Sequence, residues 1–162
     1  MQNGGMSTKK KRIDTRLESE AAEFLVLGHL LLEGISAFKT YTNFPGYDLI
    51  ATDVEFNTNV RIQVKSRYRT DYDGFIVKNP DCDFVVLVAL NRGYGRGPKK
   101  NGDTGIIDPK YYIMPISYIE KVRDPNNEWG KIGKKSLNKL SEYENKWGLI
   151  KEFMKNPNKV NK

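Results

Sequence analysis

The sequence predicts a mixed α/β domain in which a central mixed sheet of about five strands carries helices on both faces. Three observations predict it: a long apolar helical segment near the N-terminus, a series of short strand-like segments after it, and an amphipathic segment near the C-terminus. At 162 residues the chain has the length of one compact domain. We expect that domain to span residues 15–156, between a basic, disordered tail over 1–14 and a C-terminal tail over 157–162.

The first element is a predicted helix over residues 15–33. It is apolar nearly all round, which predicts that it is buried on most of its faces. Gly34 supplies a C-terminal stop. Glu23 lies inside the apolar segment, where a carboxylate is costly unless another group pairs with it.

Strand-like segments follow, at residues 35–41, 47–52, 60–67, 83–90 and 111–115. A Pro-Gly turn signal ending at Gly46 separates the first two, and the fourth is a continuous apolar run typical of a strand buried on both faces. A short helix is expected after Pro115. Apolar residues at helical spacing predict a last helix over residues 136–154, whose stripe packs into the core.

Charge, apolar segments and the count of metal-binding residues limit the kinds of function that this chain can have. The net charge is +7 and the isoelectric point is near 9.4, which favours polyanions such as nucleic acid. No segment is long and apolar enough to span a bilayer. Cys82 and His29, the single cysteine and the single histidine, cannot by themselves form a zinc site, and we expect both to be packed residues. A lone cysteine agrees with a reducing compartment, so we predict a cytoplasmic protein.

The residues that suggest chemistry lie on two neighbouring strands. If these strands pair, Asp48 near the start of one comes opposite Gln63 and Lys65 near the end of the other. Gln63 and Lys65 are two residues apart and therefore share a face. Glu23 on the helix could add a second carboxylate. Such oxygen ligands suit Mg²⁺, or Mn²⁺ in its place, and a metal-dependent hydrolysis of phosphodiester bonds.

This arrangement resembles the PD-(D/E)XK nuclease superfamily, which has the restriction-endonuclease-like fold, in a QxK variant. The resemblance covers roughly residues 20–90. It is carried by Glu23, by Gly34 closing the first helix, by Gly46-Tyr47-Asp48-Leu49-Ile50 and by Ile62-Gln63-Val64-Lys65-Ser66. The order of the elements, helix then hairpin then buried strand, also matches.

The resemblance implies a Mg²⁺-dependent endonuclease and a role for each matching residue. Asp48 would be the principal metal ligand, Gln63 the second ligand and the backbone carbonyl of Val64 the third. Glu23 would bind the metal through water, and Lys65 would be the catalytic lysine.

Two residues leave alternatives open. Gln63 stands where an acid is commoner, and its amide oxygen coordinates a metal more weakly than a carboxylate; Glu20, Asp53 and Glu55 are the candidates to compensate. The same substitution is compatible with a nucleic-acid-binding or assembly module that has lost turnover. Glu23 is either a ligand or half of a buried salt bridge, with Glu20 as the rival ligand.

Basic residues interleaved with aromatics follow the site and recur in a glycine-rich loop. They are candidates for holding a phosphate backbone, with DNA favoured over RNA, and comprise Arg67, Arg69, Arg92, Arg96, Lys99 and Lys100. For the loop residues an ordinary solvated loop is the competing interpretation. Since there is one site per chain, cutting both strands of a duplex would suggest a homodimer. A small interaction protein with incidental basic charge is the third hypothesis.

Overall fold

The computed structural model describes residues 14–41 and 46–160. Nearly all of the predicted N-terminal tail and the proline of the Pro-Gly turn lie outside these ranges, as do residues 161–162. Helix α1 is Thr15–Leu32, α2 is Ile116–Val122, α3 is Gly148–Lys155 and α4 is Pro157–Val160. The strands are β1 Ser36–Lys39, β2 Leu49–Asp53, β3 Thr58–Arg67, β4 Gly74–Ile76, β5 Phe84–Ala89, β6 Lys110–Pro115 and β7 Lys131–Gly133.

Within the described residues, five strands form one mixed sheet in the order β1-β2-β3-β5-β6. The β3–β5 pair is parallel and the other neighbours are antiparallel. All six residues of β5 are buried, because one apolar cluster under α1 and α3 covers one sheet face and a second cluster with α2 covers the other. The predicted α/β fold with a five-stranded sheet and helices on both faces is confirmed.

Helix α1 forms where the sequence predicts it. The Asp14 carboxylate accepts a 2.9 Å hydrogen bond from the Arg16 N–H and caps the first turn. The expectation that the helix is buried on most faces is wrong. Only the stripe of Ala22, Val26 and Leu30 is buried, while other apolar residues of the helix, including Phe24, are exposed. The reason is that α1 rests on a single sheet face.

The predicted helix over residues 136–154 is also wrong in its first half. Two short 3-10 turns, Lys134–Ser136 and Leu140–Tyr143, precede α3. Asn145 has a positive φ of 54°, which ends any right-handed helix there. The apolar stripe is consequently divided, with Leu137 and Leu140 in one core cluster and Ile150 in the other.

A small ribbon of β4 and β7 was not predicted. Its register pairs Phe75 with Ile132 and Ile76 with Lys131. Phe75 and Ile132 are buried, whereas Ile76 and Lys131 face outward. Strands of three residues are too short to show a periodic pattern in sequence.

None of the helices in the described part of the chain has the length and apolar character needed to cross a membrane.

Candidate active site

Asp48 is held where β2 begins. Its backbone N–H donates to the Ile62 carbonyl at 2.9 Å, and its own carbonyl accepts from the Thr40 N–H and from the Thr40 hydroxyl, both at 3.0 Å. The side-chain Oδ2 accepts from the Val64 N–H at 2.7 Å. Since Leu49 pairs with Ile62, Asp48 lies opposite Gln63, which is the relationship that the sequence predicts.

A cleft of about 510 Å³ opens at this point, between α1 and the sheet. From the sheet it is lined by Asp48, Val64, Lys65, Ser66 and Arg67. From the helix it is lined by Thr15, Glu18, Ser19 and Glu23, and from the segment around the ribbon by Ile76 and Lys78. The structure therefore brings Asp48, Lys65 and Glu23 to one cavity.

Burial perturbs the protonation of the two central groups. Desolvation raises the pKa of Asp48 above its usual value, although the Val64 hydrogen bond and the Lys65 charge oppose this. Desolvation lowers the pKa of Lys65, although the Asp48 charge opposes that shift. A bound cation would favour the ionised carboxylate and offset the cost of burying it.

Glu23 is a member of the cleft and half of a salt bridge at the same time. Its carboxylate lies 2.8 Å from the Lys39 ammonium, which also lies 2.5 Å from Glu20. Burial raises the pKa of Glu23, the hydrogen bond from Lys39 opposes this, and the nearby Asp48 charge adds to the rise. For Lys39, burial works against the charged form, but the two carboxylates outweigh it and raise its pKa. Glu23 thus forms a salt bridge with Lys39 while it also lines the cleft, and Glu20 contacts the same lysine without lining the cleft.

Gln63 lies beneath the cleft and does not line it. Its side chain is buried, and its Nε2 donates to the Gly46 carbonyl at 2.9 Å and to the Asn79 carbonyl at 3.3 Å. These two acceptors determine which end of the amide is nitrogen. The Oε1 atom is also buried and accepts no hydrogen bond within residues 14–41 and 46–160. A buried oxygen of this kind is costly unless a ligand satisfies it.

The donor atoms fit a hard, partly hydrated cation. In the part of the chain that the structure describes, no three His, Cys, Asp or Glu side chains are placed to enclose a metal. Magnesium needs only one or two carboxylates and keeps several waters. Asp48 supplies one carboxylate. The N–H and C=O of a strand residue point to the same side, so the Val64 carbonyl faces the same gap as its N–H, beside Asp48.

Other candidate residues lie elsewhere. Asp53 and Glu55 border a different cavity at the far end of β2, so neither can compensate for Gln63. The Cys82 thiol is buried, and burial raises its pKa to about 12, which leaves it unreactive. His29 packs between aromatic rings, at 4.3 Å from Tyr111 and 5.2 Å from Trp147.

The predicted phosphate-binding residues fall into two groups. Arg67 lines the cleft, but its guanidinium donates to the Gly74 carbonyl and, at 3.0 Å, to the Ser66 carbonyl. Arg69 lies outside the cleft and pairs with Asp71 at 2.9 Å. The Asp71 carboxylate in turn accepts from the Gly95 N–H, which brings the glycine-rich loop against Arg69.

Within that loop Arg92, Arg96 and Lys100 are exposed. Lys99 pairs with Asp103 at 3.2 Å and lies 4.6 Å from the Tyr94 ring centroid. The structure thus places Arg67 in the cleft and Arg69 against the loop, and the two arginines line a neighbouring cavity of about 360 Å³ together with Glu18.

Sequence reasoning missed six residues that line the cleft, and it also missed Lys39, the partner of Glu23. The six are Thr15, Glu18, Ser19, Ser66, Ile76 and Lys78. Glu18 accepts a 2.9 Å hydrogen bond from the Ser66 hydroxyl. Thr15, Glu18, Ser19 and Glu23 recur at helical spacing and therefore lie on one side of α1. This spacing could have been read from the sequence. Lys78 follows a three-residue strand, and no pattern in the sequence marks it.

Comparisons with known proteins agree with this architecture. No protein-family model matches the chain, and no curated protein matches it. Among solved structures, the chain is similar to the bacterial homing endonuclease I-Ssp6803I, with a TM-score of 0.56 and 18% sequence identity over 92% of this chain and 99% of that one. At that identity the likeness establishes a shared fold.

Proposed function

We propose that this chain is a metal-dependent endonuclease of the PD-(D/E)XK type, in its QxK variant, that hydrolyses phosphodiester bonds in DNA. The observation that carries the proposal is the single cleft that collects Asp48, Glu23 and Lys65 where β2 and β3 separate. The shared fold with a homing endonuclease supports it. The net charge of +7 favours a polyanionic substrate.

Asp48 and the Val64 carbonyl would hold Mg²⁺ or Mn²⁺ in the cleft, with Glu23 acting through water. The buried Gln63 Oε1, which has no hydrogen-bond partner among the described residues, would add a ligand only after turning toward the cleft. When bound, the metal would polarise a phosphoryl oxygen and make water a better nucleophile. Glu23 is kept in place for this by Lys39, and Asp48 by the Val64 N–H.

Lys65 contributes directly to the chemistry in this proposal. It lies on the same face of β3 as Gln63, and burial removes its ammonium partly from solvent, which lowers its pKa. Its ammonium orients the attacking water and offsets the negative charge that grows on the phosphate. A preorganised charge of this kind is worth more in a partly desolvated cleft than in water.

The test is nicking of supercoiled plasmid DNA with Mg²⁺, Mn²⁺ or EDTA. Wild type should cut only with metal, and Asp48→Ala and Lys65→Ala should each lose about two to three orders of magnitude in rate. Asp53→Ala and Lys151→Ala are matched controls, since these residues border the other cavity and should leave the rate unchanged. A folded wild type that cuts none of a varied set of DNA and RNA substrates would overturn the proposal.

The second candidate is a nucleic-acid-binding or assembly module with this fold and without turnover. Gln63 favours it, because an amide replaces an acid and its nitrogen is committed to two carbonyls. Binding that is insensitive to metal and unchanged in Asp48→Ala would support the module over the enzyme.

A further inference from the structure

The cleft continues onto an exposed surface that the roles proposed above leave unused. Ile76 and Lys78 line the cleft together with Asp48 and Lys65. Both residues face outward, because Phe75 and Val77 alternate with them and are buried. The outer side of β4 is therefore the direct extension of the active-site wall.

Trp129 lies across from Lys78 on this surface. The Val77 N–H donates to the Gly130 carbonyl at 2.9 Å, which extends the β4–β7 register by one pair beyond Ile76 and Lys131. The next pair in that register is Lys78 with Trp129. In agreement, the Lys78 ammonium lies 5.9 Å from the Trp129 ring centroid.

Trp129 is 70% exposed, which is unusual for so large an apolar side chain. Its backbone is nevertheless tightly held. The Trp129 N–H donates to the Asn127 side-chain oxygen at 3.0 Å, and the Gly130 N–H donates to the Asn127 carbonyl at 2.9 Å. Gly130, with a φ of 63°, adopts the left-handed conformation that the turn requires. The ring is thus displayed on a fixed turn without being packed into the core.

We propose that Trp129 and Lys78 form a contact site for the nucleic-acid strand that leaves the cleft, in which a base stacks on the indole and Lys78 binds an adjacent phosphate. Exposed Lys131, opposite Ile76, lies on the same outer face, where its ammonium pairs with the Asp73 carboxylate at 3.5 Å. An aromatic plane next to ammonium groups matches the two parts of a nucleotide, its base and its phosphate. A base can stack on an exposed ring only when it is unpaired, so the surface favours a strand with an unpaired segment.

This inference rests on the proposed function for its partner, and it can fail independently. The chain has two tryptophans, and the other, Trp147, is buried. Both tryptophans emit, but only Trp129 is exposed to a bound nucleic acid, so quenching of the fluorescence on binding reports on Trp129. The titrations use full-length protein in EDTA, where hydrolysis is absent, with a blunt DNA duplex, the same duplex carrying a single-stranded extension, and a single-stranded oligonucleotide.

We expect the extended duplex and the single strand to quench wild-type fluorescence, and Trp129→Phe to lose that response while keeping its Trp147 emission. Trp129→Ala should bind these two probes roughly tenfold more weakly, with little change for the blunt duplex. Lys78→Ala should reduce the dependence of binding on salt by about one phosphate contact. Phe56→Ala and Lys155→Ala are the matched controls, an exposed aromatic residue and an exposed lysine away from the ribbon, and should behave as wild type.

Nucleic-acid binding with unchanged Trp129 fluorescence and unchanged affinity in Trp129→Ala would overturn this inference and leave the endonuclease proposal standing. Quenching by a wild type that never cuts would support the contact site while the hydrolytic function fails. Binding to none of the probes would overturn this inference, and the endonuclease proposal would still be decided by the cleavage assay with metal. If Trp129→Ala changes the sedimentation of the free protein and leaves DNA affinity intact, the surface contacts a second protein chain, and the inference is wrong.

Discussion

The Asp48 carboxylate accepts a 2.7 Å hydrogen bond from the Val64 N–H. It takes the place of a backbone carbonyl next to β3, just before β2 begins at Leu49. One residue thereby closes the β2–β3 pairing and also lines the cleft. The same hydrogen bond holds the Val64 backbone beside the site. The proposed metal site is thus built into the end of the sheet ladder, where its geometry depends on the strand register.

Asp48→Asn should stabilise the metal-free protein at pH 7–8 by on the order of 1 kcal/mol, a trade of stability against activity common in active sites. Asparagine keeps the acceptor for Val64 and removes a buried charge. Burial raises the pKa of Asp48, so its contribution to stability is present below the unfolded-state pKa and is lost as pH rises through the folded-state pKa. The gain should therefore shrink as pH falls toward 4. Thermal melts in EDTA at both pH values measure it.

The control for this experiment is Asp71→Asn. The hydrogen bond from Arg69 lowers the pKa of Asp71, so the sign is reversed and the substitution should lower stability at neutral pH. A lower melting temperature for Asp48→Asn at pH 8 would contradict the assignment of Asp48 as a buried carboxylate whose desolvation outweighs its hydrogen bond and the nearby lysines.

Lys39→Met should destabilise the protein by about 2–4 kcal/mol, because it leaves Glu23 as a partly buried carboxylate without its cation. Lys39 is only 7% exposed in its side chain, so water cannot replace the ammonium easily. Urea unfolding measures the loss. Adding Glu23→Gln to the same chain should restore much of it, since the double variant has no orphaned charge.

Lys151→Met is the matched control, because Lys151 pairs with Glu33 at 3.9 Å on the surface and exposed pairs contribute about 0–1 kcal/mol. Equal stability of Lys39→Met and wild type would show that Glu23 does not need Lys39.

Gln63→Glu should destabilise the metal-free protein by about 2–4 kcal/mol. In wild type the Gly46 and Asn79 carbonyls accept hydrogen bonds from the Gln63 Nε2. A glutamate would place a carboxylate oxygen beside these carbonyls, which repel it, and would add a negative charge opposite Asp48. A divalent cation should reverse part of the loss, because the variant supplies a stronger ligand at the site. Thermal shift with Mg²⁺ and with Ca²⁺ tests this.

Gln63→Leu separates the two effects. It removes the same hydrogen bonds without adding charge, and divalent cations should give it no extra stabilisation relative to wild type. If Mg²⁺ fails to stabilise Gln63→Glu more than wild type, Gln63 does not face the metal.

Gly130→Ala should cost about 2–4 kcal/mol and disturb the turn that displays Trp129. A Cβ atom at this position collides with the Val77 carbonyl group, and the φ of 63° strains any residue with a side chain. Gly133→Ala, on the same ribbon with no atom near its Cβ position, is the control and should change stability by less than about 1 kcal/mol. Chemical denaturation compares the two, and equal losses would contradict the backbone origin of the effect.

Periodicity and strand composition were sufficient to predict most of the fold. Helix α1, the five strand segments of the central sheet and the Asp48–Gln63 opposition all follow from patterns that are local in sequence, because alternation and turn signals determine which residues of a hairpin meet. The stripe from Leu137 to Phe153 shows the limit. Its spacing fits one helix, yet the chain turns at Asn145 and sends its two halves to opposite faces of the sheet.

The residue pattern establishes the list of chemical groups at the site: one aspartate, one glutamine and one lysine on two adjacent strands, and a glutamate on the preceding helix. The tertiary structure decided which atoms are free to act. In the folded chain the Gln63 Nε2 donates to two carbonyls, and Glu23 pairs with a lysine of β1. The β4–β7 ribbon lies beside the cleft with Trp129 near Lys78. These outcomes depend on contacts between residues far apart in the chain. The burial that favours them cannot be seen in any short stretch of the sequence.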